Sequence, residues 1–245
     1  MTNRMKKHTF FEFKGAMVQG YDRFNHLASA GQDIRWRKAT AKHLKSFLST
    51  RKSKTFVLDL ATGTGDMAIT IGRICTNVKI IGTDPSREML FIGKEKLEQN
   101  HQNSISLVNT VSRLAFPNAS FDAVTCAFGF RNFTHLKDDF KELYRLLNDN
   151  GRIYALEFFQ PKTKIADRLL KIYKKTLFPL LGFLLTGQIW PYKYLFSSIV
   201  RFKTPEEFST LLNECQFKTI ETQSFFFGLV HLIIAEKTKN NGGIL

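Results

Sequence analysis

Cysteine is scarce in this sequence, and no two cysteines have the spacing of a metal-binding or redox pair. The 245 residues include Cys75, Cys126 and Cys215, an odd number with no C-x-x-C among them. This pattern argues against a disulfide framework or a zinc site and favours a reducing compartment. The N-terminal segment MTNRMKKHTFFEF also lacks the long apolar stretch of a signal peptide. We therefore expect a cytoplasmic protein that holds no metal ion.

Acidic residues are also few relative to basic ones. The chain has 21 Asp and Glu against 36 Lys and Arg, which gives a formal net charge of +15 and a pI near 9.8. Residues 161–203 contain nine basic residues and one acid, Asp167, and so carry a net +8. A charge of this size predicts an anionic partner, either nucleic acid or a membrane surface. A proteome that is basic throughout is the alternative explanation.

Internal repeats and low-complexity tracts are absent, and the middle of the chain alternates apolar runs with helical patterns. Strand, helix and strand at this spacing predict right-handed crossovers and a Rossmann-like α/β fold. The runs are apolar throughout, as strands of a parallel sheet covered on both faces should be. A closing antiparallel hairpin brings the sheet to seven strands. The predicted strands are 54–60, 78–84, 104–110, 121–128, 151–159, 217–226 and 228–237, and the predicted helices are 66–75, 86–99, 135–147 and 204–216.

The same patterns suggest a domain organisation around this core. Residues 1–50 are predicted to form a helical cap over the site, and Trp36 is expected to pack within this lid. Residues 51–160 are predicted to form the nucleotide-binding core. Residues 161–203 form a basic, aromatic, helical insertion before the core resumes. A capping box, with Thr204 before Pro205 and Glu207, starts the next helix. Residues 204–237 then complete the core, and residues 238–245 form a frayed tail.

The segment VLDLATGTGDMA carries the clearest candidate ligand site. Gly63 and Gly65 follow the first strand and allow close approach of a ligand, and Asp84 ends the second strand 21 residues after Gly63. A carboxylate at that separation suits the ribose hydroxyls of a nucleotide. A dehydrogenase would need G-x-G-x-x-G to seat a pyrophosphate. Here Asp59 and Asp66 flank the turn, so their charge favours the cationic S-adenosylmethionine over a dinucleotide.

Taken together, these motifs resemble those of class I S-adenosylmethionine-dependent methyltransferases. VLDLATGTGD, GTDPSREML and the fourth strand carry this resemblance. More narrowly, the chain resembles the ubiquinone/menaquinone biosynthesis C-methyltransferases, from about residue 18 to residue 237. The narrower match lies in YDRFNHLASAGQDIRWRK (21–38), in FGFRNF (128–133) and in RLLNDNGRIYALEFFQP (145–161).

The resemblance implies C-methylation of a polyprenylated quinol, with S-adenosylmethionine as the methyl donor. Arg131 would stabilise a phenolate or orient a water, Asn132 would hold that water or the second quinol oxygen, and Tyr21 would complete the network. The alternative for Arg131 is a structural ion pair with an acid of the cap such as Asp22. For Tyr21 and Asp22 the alternative is helix capping. The expected cofactor-binding residues are Asp59, Ala61, Gly63, Thr64, Gly65, Asp84, Thr110, Val111 and Ala127.

The sequence departs from the family pattern at several positions. Asp33 stands where His is usual, Phe24 where Met is usual, and Asp149-Asn150-Gly151 where Pro-Gly-Gly is usual. Thr110-Val111 replaces Asn-Ala or Asp-Ala, and Ala127 replaces a common Ser. A threonine hydroxyl can still bond the adenine amino group or a water, although more weakly. These departures concern the adenine contacts and leave the reaction class unchanged.

The insertion suggests how the protein reaches a lipid substrate. LFPLLGFLL (177–185) has about half the length that crosses a bilayer, and Lys174, Lys175 and WPYKY (190–194) flank it. This pattern fits an interfacial element on the inner, anionic membrane face. An apolar subdomain core with a solvated basic face is the alternative.

Three other functions compete with this reading: an RNA methyltransferase, a small-phenol O-methyltransferase and a non-catalytic scaffold. The basic region lacks aromatics interleaved along a groove, and no N-P-P-Y motif follows the fourth strand. We therefore expect no nucleic-acid partner. The intact glycine loop argues against a scaffold, and an O-methyltransferase would usually show a metal or a histidine base. The sequence leaves open whether the protein is a homo-oligomer.

Overall fold

A computed structural model describes residues 22–23, 25–27, 29–51, 53–110, 114–176 and 190–239. Its centre is a seven-stranded sheet in the order β3-β2-β1-β4-β5-β7-β6. This sheet and its flanking helices confirm the predicted α/β fold. The strands are β1 Thr55–Leu60, β2 Val78–Asp84, β3 Ile105–Asn109, β4 Phe121–Ala127, β5 Leu147–Phe158, β6 Phe217–Phe225 and β7 Val230–Lys237.

The first five strands run parallel, and β7 is antiparallel to both of its neighbours. The chain builds outward from β1 to β3, then returns to place β4 on the other side of β1. This reversal of strand order opens a crevice above the carboxyl ends of β1 and β4, where ligands of such sheets bind.

Helices cover the sheet on both faces and create two apolar cores. On one face Trp36, Leu44 and Ile71 belong to a buried cluster, and on the other Phe140 and Phe208 belong to a second. The central strands contribute to both clusters, so they need apolar side chains on both sides. The helices are α1 Gln32–Leu48, α2 Asp66–Ile74, α3 Arg87–Gln99, α4 Leu136–Leu146, α5 Lys164–Lys175, α6 Trp190–Arg201 and α7 Pro205–Glu214.

The start of β5 differs from the sequence prediction. The strand was expected from residue 151, but Leu147 already pairs with Phe121 at the end of α4. A register shift follows before Arg152 pairs with Ala123. Asn150 has a left-handed φ of 57°, which asparagine tolerates better than most residues. The segment therefore pairs with β4 both before and after an irregular turn. The pattern of apolar and polar residues in the sequence does not indicate such a turn.

The later elements agree with local sequence signals. The capping box before α7 is present: Thr204 Oγ1 accepts from Glu207 N at 3.3 Å, and Glu207 Oε2 accepts from Thr204 N at 2.8 Å.

The apolar run 177–185, expected at the membrane, lies outside the described residues. Across the described ranges, no helix combines the length and the apolar character that crossing a bilayer requires.

Candidate active site

The glycine loop after β1 lies at the crevice between β1 and β4. Ala61, Gly63 and Gly65 all have left-handed φ, at 53°, 57° and 83°. Glycine adopts this conformation without steric cost, which explains its use at two of the three positions. Thr62 N donates to Thr83 O at 2.9 Å, so the loop is fastened to the end of β2. The loop backbone is therefore fixed where a ligand would meet it.

Asp84 lies directly beside this loop, as its spacing predicted. Its two carboxylate oxygens accept from Gly63 N at 2.9 Å and from Ser86 N at 2.8 Å. Burial raises the pKa of Asp84, and the two N–H donors partly oppose that effect. Each carboxylate oxygen retains a second lone pair that can accept from a hydroxyl. Its role as a ribose acceptor remains a prediction.

We expect Asp84→Ala to weaken S-adenosylmethionine binding at least tenfold, because two ribose hydroxyls lose a charged acceptor, an interaction of about 1.5–3 kcal/mol. Calorimetry measures the affinity. Asp84→Asn is the matched control, since its amide oxygen can still accept from Gly63 N while the charge is lost. An unchanged affinity in the alanine variant would remove Asp84 from the site.

Asp59 is wholly buried beneath the loop. Its Oδ2 accepts from Thr62 Oγ1 at 2.5 Å and its Oδ1 accepts from Thr125 Oγ1 at 2.7 Å. Burial raises the pKa of Asp59 to about 6, although both hydrogen bonds and the nearby Arg37 act in the opposite direction. Asp59 therefore joins the glycine loop to β4 and places a carboxylate, ionised above that pH, under the cleft.

A polar network joins the N-terminal segment to the same loop. Thr64 Oγ1 donates to Asp22 Oδ1 at 2.7 Å, and Lys96 Nζ bonds Asp22 Oδ2 at 2.9 Å and Thr64 Oγ1 at 3.2 Å. Lys96 also pairs with Asp66. Asp22, the example given for a structural partner of Arg131, is therefore paired with Lys96 and Thr64 instead. The negative charge of Asp66, which the sequence argument assigned to the ligand, is partly offset by Lys96, which Asp66 shares with Asp22.

The chain turns sharply after β4, and Gly129 is essential to that turn. Phe128 before it has a left-handed φ of 63°. A Cβ on Gly129 would lie 2.7 Å from both Ala61 Cβ and Cys126 Sγ, so no larger residue fits without movement. The one-turn helix Phe130–Asn132 follows, with Phe130 buried in the core. The turn thus brings Gly129 against Ala61 of the glycine loop, whereas Arg131 lines a separate pocket together with Phe133, Ser197 and Leu211.

The Arg131 side chain is paired with Glu157 at the end of β5. Arg131 Nη1 bonds Glu157 Oε1, and Arg131 N donates to Oε2 at 3.2 Å. Glu157 is fully buried and also accepts from Phe158 N at 2.8 Å. Burial raises the pKa of Glu157, while Arg131 opposes the rise. The ion pair considered as an alternative is therefore present, with Glu157 as its partner.

Aromatic rings form a wall beside Arg131 that the sequence analysis did not anticipate. Trp36 packs against Phe128, Phe158, Phe225 and Phe226, with ring centroids between 5.7 and 6.4 Å apart. The Arg131 guanidinium carbon lies 5.7 Å from the centroid of the Phe158 ring. These rings come from α1 and from the ends of β4, β5 and β6. Their separation in the sequence conceals the cluster.

The remaining predicted residues are placed as follows. Thr110 N donates to Asp84 O at 3.2 Å, which puts Thr110 just after β3 and beside Asp84. Tyr21 and Val111 lie outside the described residues. Within the described residues the cleft is lined by Asp22, Arg37, Asp59, Ala61, Thr62, Gly63, Thr64, Asp66, Met67, Ala127 and Phe128.

Glu157 and Arg37 were not among the predicted site residues, although both lie in segments that resemble the family. Glu157 is the glutamate of the 145–161 segment, and Arg37 follows Trp36 in the 21–38 segment. Each could have been recognised as an ionisable residue in an apolar setting: Glu157 stands next to a strand end, and Arg37 lies within an apolar helix face. Charged residues are rare in such places unless they are paired. Lys96 gave no such signal, because lysine on an amphipathic helix is ordinary.

This arrangement defines a class of protein. It has the class I methyltransferase fold, with the glycine loop at the point where the strand order of the sheet reverses. Among solved structures, a SAM dependent methyltransferase from Aquifex aeolicus has a TM-score of 0.63 at 14% identity, covering 92% of this chain and 99% of that one. A putative S-adenosyl-L-methionine-dependent methyltransferase from Methanococcus maripaludis has a TM-score of 0.63 at 17% identity, covering 98% of each. At these identities the likeness shows the fold.

The chain belongs to the ubiE/COQ5 methyltransferase family, whose model matches residues 3–237. A demethylmenaquinone methyltransferase of Thermotoga maritima is 34% identical over 237 residues, covering 96% of this chain and 99% of the relative. A ubiquinone/menaquinone biosynthesis C-methyltransferase of Geobacter sulfurreducens is 34% identical over 220 residues, covering 89% and 84%. The family and the fold agree with the resemblance found in the sequence.

Proposed function

We propose that this methyltransferase transfers a methyl group to a ring carbon of a polyprenylated quinol, either a demethylated naphthoquinol or a methoxybenzoquinol. The observation that supports this most is the buried guanidinium of Arg131, which is paired with Glu157 and lies beside the Phe158 ring of the aromatic wall. The relatives named above act on demethylmenaquinone or serve ubiquinone and menaquinone biosynthesis, according to their names. A flat aromatic substrate with ionisable oxygens suits both the rings and the charge.

Ring methylation requires an electron-rich carbon. A hydroquinone that loses a phenolic proton becomes a phenolate, and its ortho carbon can attack the methyl group. Attack by that carbon would take up the methyl group of the bound cofactor and leave a neutral thioether, and the ring carbon would then give up its proton to water to restore aromaticity. Arg131 stabilises the phenolate oxygen, and Asn132 holds a water or the second oxygen. Glu157 keeps the guanidinium in place, and Tyr21 completes the network.

The residues of the cleft fit S-adenosylmethionine. An added Cβ at Gly63 would meet no atom within 4 Å, so the loop backbone is open on that side. Asp84 would hold the ribose hydroxyls, and Thr110 with Val111 would contact the adenine. Gly65, Thr64, Ala61 and Ala127 would border the methionine part. When bound, this cofactor supplies the electrophilic methyl group, and the protein orients the acceptor carbon in line with it.

The insertion is proposed to bring the enzyme to its lipid substrate. Each methylene of a prenyl chain favours the bilayer by about 0.8 kcal/mol, so the substrate stays in the membrane. On α5, Ile165 and Ile172 are 64% and 48% exposed and lie one heptad apart. Apolar side chains on a basic helix are typical of contact with an anionic membrane surface. We therefore propose that the enzyme acts at the inner face of the membrane.

The test is methyl transfer from labelled S-adenosylmethionine to quinol carried in lipid vesicles. We expect turnover of the reduced ring and none of the oxidised ring, because a quinone carbon is electrophilic. Vesicles with anionic lipid should support faster turnover than neutral ones, because the insertion is basic. RNA serves as the alternative acceptor. Equal turnover of both redox states would contradict the mechanism, and label on RNA would favour the competing class.

A further inference from the structure

Arg37 is a cation in the cofactor cleft that neither the predicted site nor the proposed reaction uses. It projects from α1, is 7% exposed, and lines the cleft together with Asp59 and Gly63. Its Nη1 bonds Asp33, whereas Nη2 lies 3.9 Å from Asp66 Oδ2, beyond hydrogen-bond distance. Nε is buried with no hydrogen-bond partner among the described residues. The guanidinium thus has donor capacity left over, which is costly for a buried group.

The charge of the expected ligand explains why a cation belongs there. S-adenosylmethionine carries an ammonium, a sulfonium and an α-carboxylate, and the acids of the cleft can serve only the first two. Lys96 is occupied by Asp22, Thr64 and Asp66, and Arg131, whose Nε is also buried without a partner among the described residues, does not line this cleft. Among the described residues that line the cleft, Arg37 is the only cation. We infer that Arg37 binds the α-carboxylate of S-adenosylmethionine, an inference that rests on the proposed use of this cofactor.

The surroundings of Arg37 hold its planar group in one orientation. Asp33 accepts from Ser29 Oγ at 2.7 Å through Oδ1 and lies 2.7 Å from His26 Nδ1 through Oδ2. The Arg37 guanidinium carbon lies 5.4 Å from the centroid of the Phe128 ring. A guanidinium fixed in this way can offer two parallel N–H groups to a carboxylate, which a flexible ammonium cannot do. Arg37 would thereby select an amino-acid ligand.

Decarboxylated S-adenosylmethionine, which lacks only the α-carboxylate, isolates this contact. Calorimetry on the full chain should show that the wild type binds the intact cofactor about tenfold or more tightly than the decarboxylated compound. In Arg37→Gln that preference should fall to about twofold or less, because affinity for the intact cofactor drops and affinity for the other compound hardly changes. Arg37→Lys should retain an intermediate preference.

The ratio of the two affinities separates binding from folding, since an unfolded fraction weakens both ligands equally. Removing Arg37 alone leaves Asp33 buried without its cation, so Asp33→Asn/Arg37→Gln is the second variant and should lose the same preference. Asp84→Ala is the matched control: it should weaken both ligands and keep the preference. A preference that survives in Arg37→Gln, or its absence in the wild type, would overturn the inference. Wild-type binding of neither compound would overturn the cofactor assignment on which it rests.

Discussion

Arg131→Lys should reduce kcat by about 10²–10³ while leaving S-adenosylmethionine affinity nearly unchanged. The lysine ammonium can still pair with Glu157, so the fold should be retained, but it cannot offer the planar pair of donors to a phenolate. The cofactor is expected to contact the loop after β1 and the end of β2, which Arg131 does not touch. Steady-state kinetics on the reduced quinol, calorimetry and a melting curve measure the three quantities.

The ion pair with Glu157 determines which second variant is informative. Arg131→Ala would leave a buried carboxylate without its partner, a loss of about 3–5 kcal/mol, so its inactivity would be ambiguous. Arg131→Gln/Glu157→Gln removes both charges and should regain much of the melting temperature, yet its kcat should stay low. Near-normal turnover in Arg131→Lys, or recovery of turnover together with stability in the double variant, would show that Arg131 has a structural role only.

Local sequence signals were sufficient for the elements that build the cleft. The span of β2 was predicted without error, because a continuous apolar run ends at Asp84. Gly63 and Gly65 marked the loop because few other residues adopt a left-handed φ without cost. The spacing of strands and helices then fixed the crossovers, and with them the edge of the sheet where these residues meet. Hydrophobic periodicity and the residue preferences of turns both depend on neighbours within a few positions, so both can be recognised in a single sequence.

The partners of the charged residues needed the assembled fold. Glu157 meets Arg131 because β5 lies beside β4, with Leu156 opposite Ala127. Asp22 was a reasonable partner by charge, but in the folded protein it bonds Lys96 and Thr64. The packing angle of a helix follows from side chains on two surfaces, and no pattern within the helix encodes it. Pairings across elements are therefore the part of the site that the sequence left open.

Asp59→Asn should stabilise the fold and weaken cofactor binding together. The folded-state pKa is about 6, above the ordinary 3.8, so the folded protein holds this proton more tightly than the unfolded chain. The contribution to stability is complete below pH 3.8 and is lost as the pH rises through 6. At pH 7 the ionised, buried Asp59 therefore costs about 3 kcal/mol. Asparagine removes that cost, so the melting temperature should rise by about 5–10 °C.

The affinity of Asp59→Asn for the cofactor should fall, because the cationic ligand loses a buried negative charge beneath the loop. We expect calorimetry to show S-adenosylmethionine binding at least tenfold weaker in Asp59→Asn at pH 7. As the pH falls through 6 the wild type should lose more affinity than the variant, in which only Asp84 is left to take up a proton, and the stability difference should shrink towards pH 4. Thr125→Val is the matched control: it keeps the charge but deletes a hydrogen bond to it, so its melting temperature should fall. A lower melting temperature in Asp59→Asn would mean that the hydrogen bonds from Thr62 and Thr125 outweigh the cost of the buried charge. An unchanged cofactor affinity would remove Asp59 from the binding site.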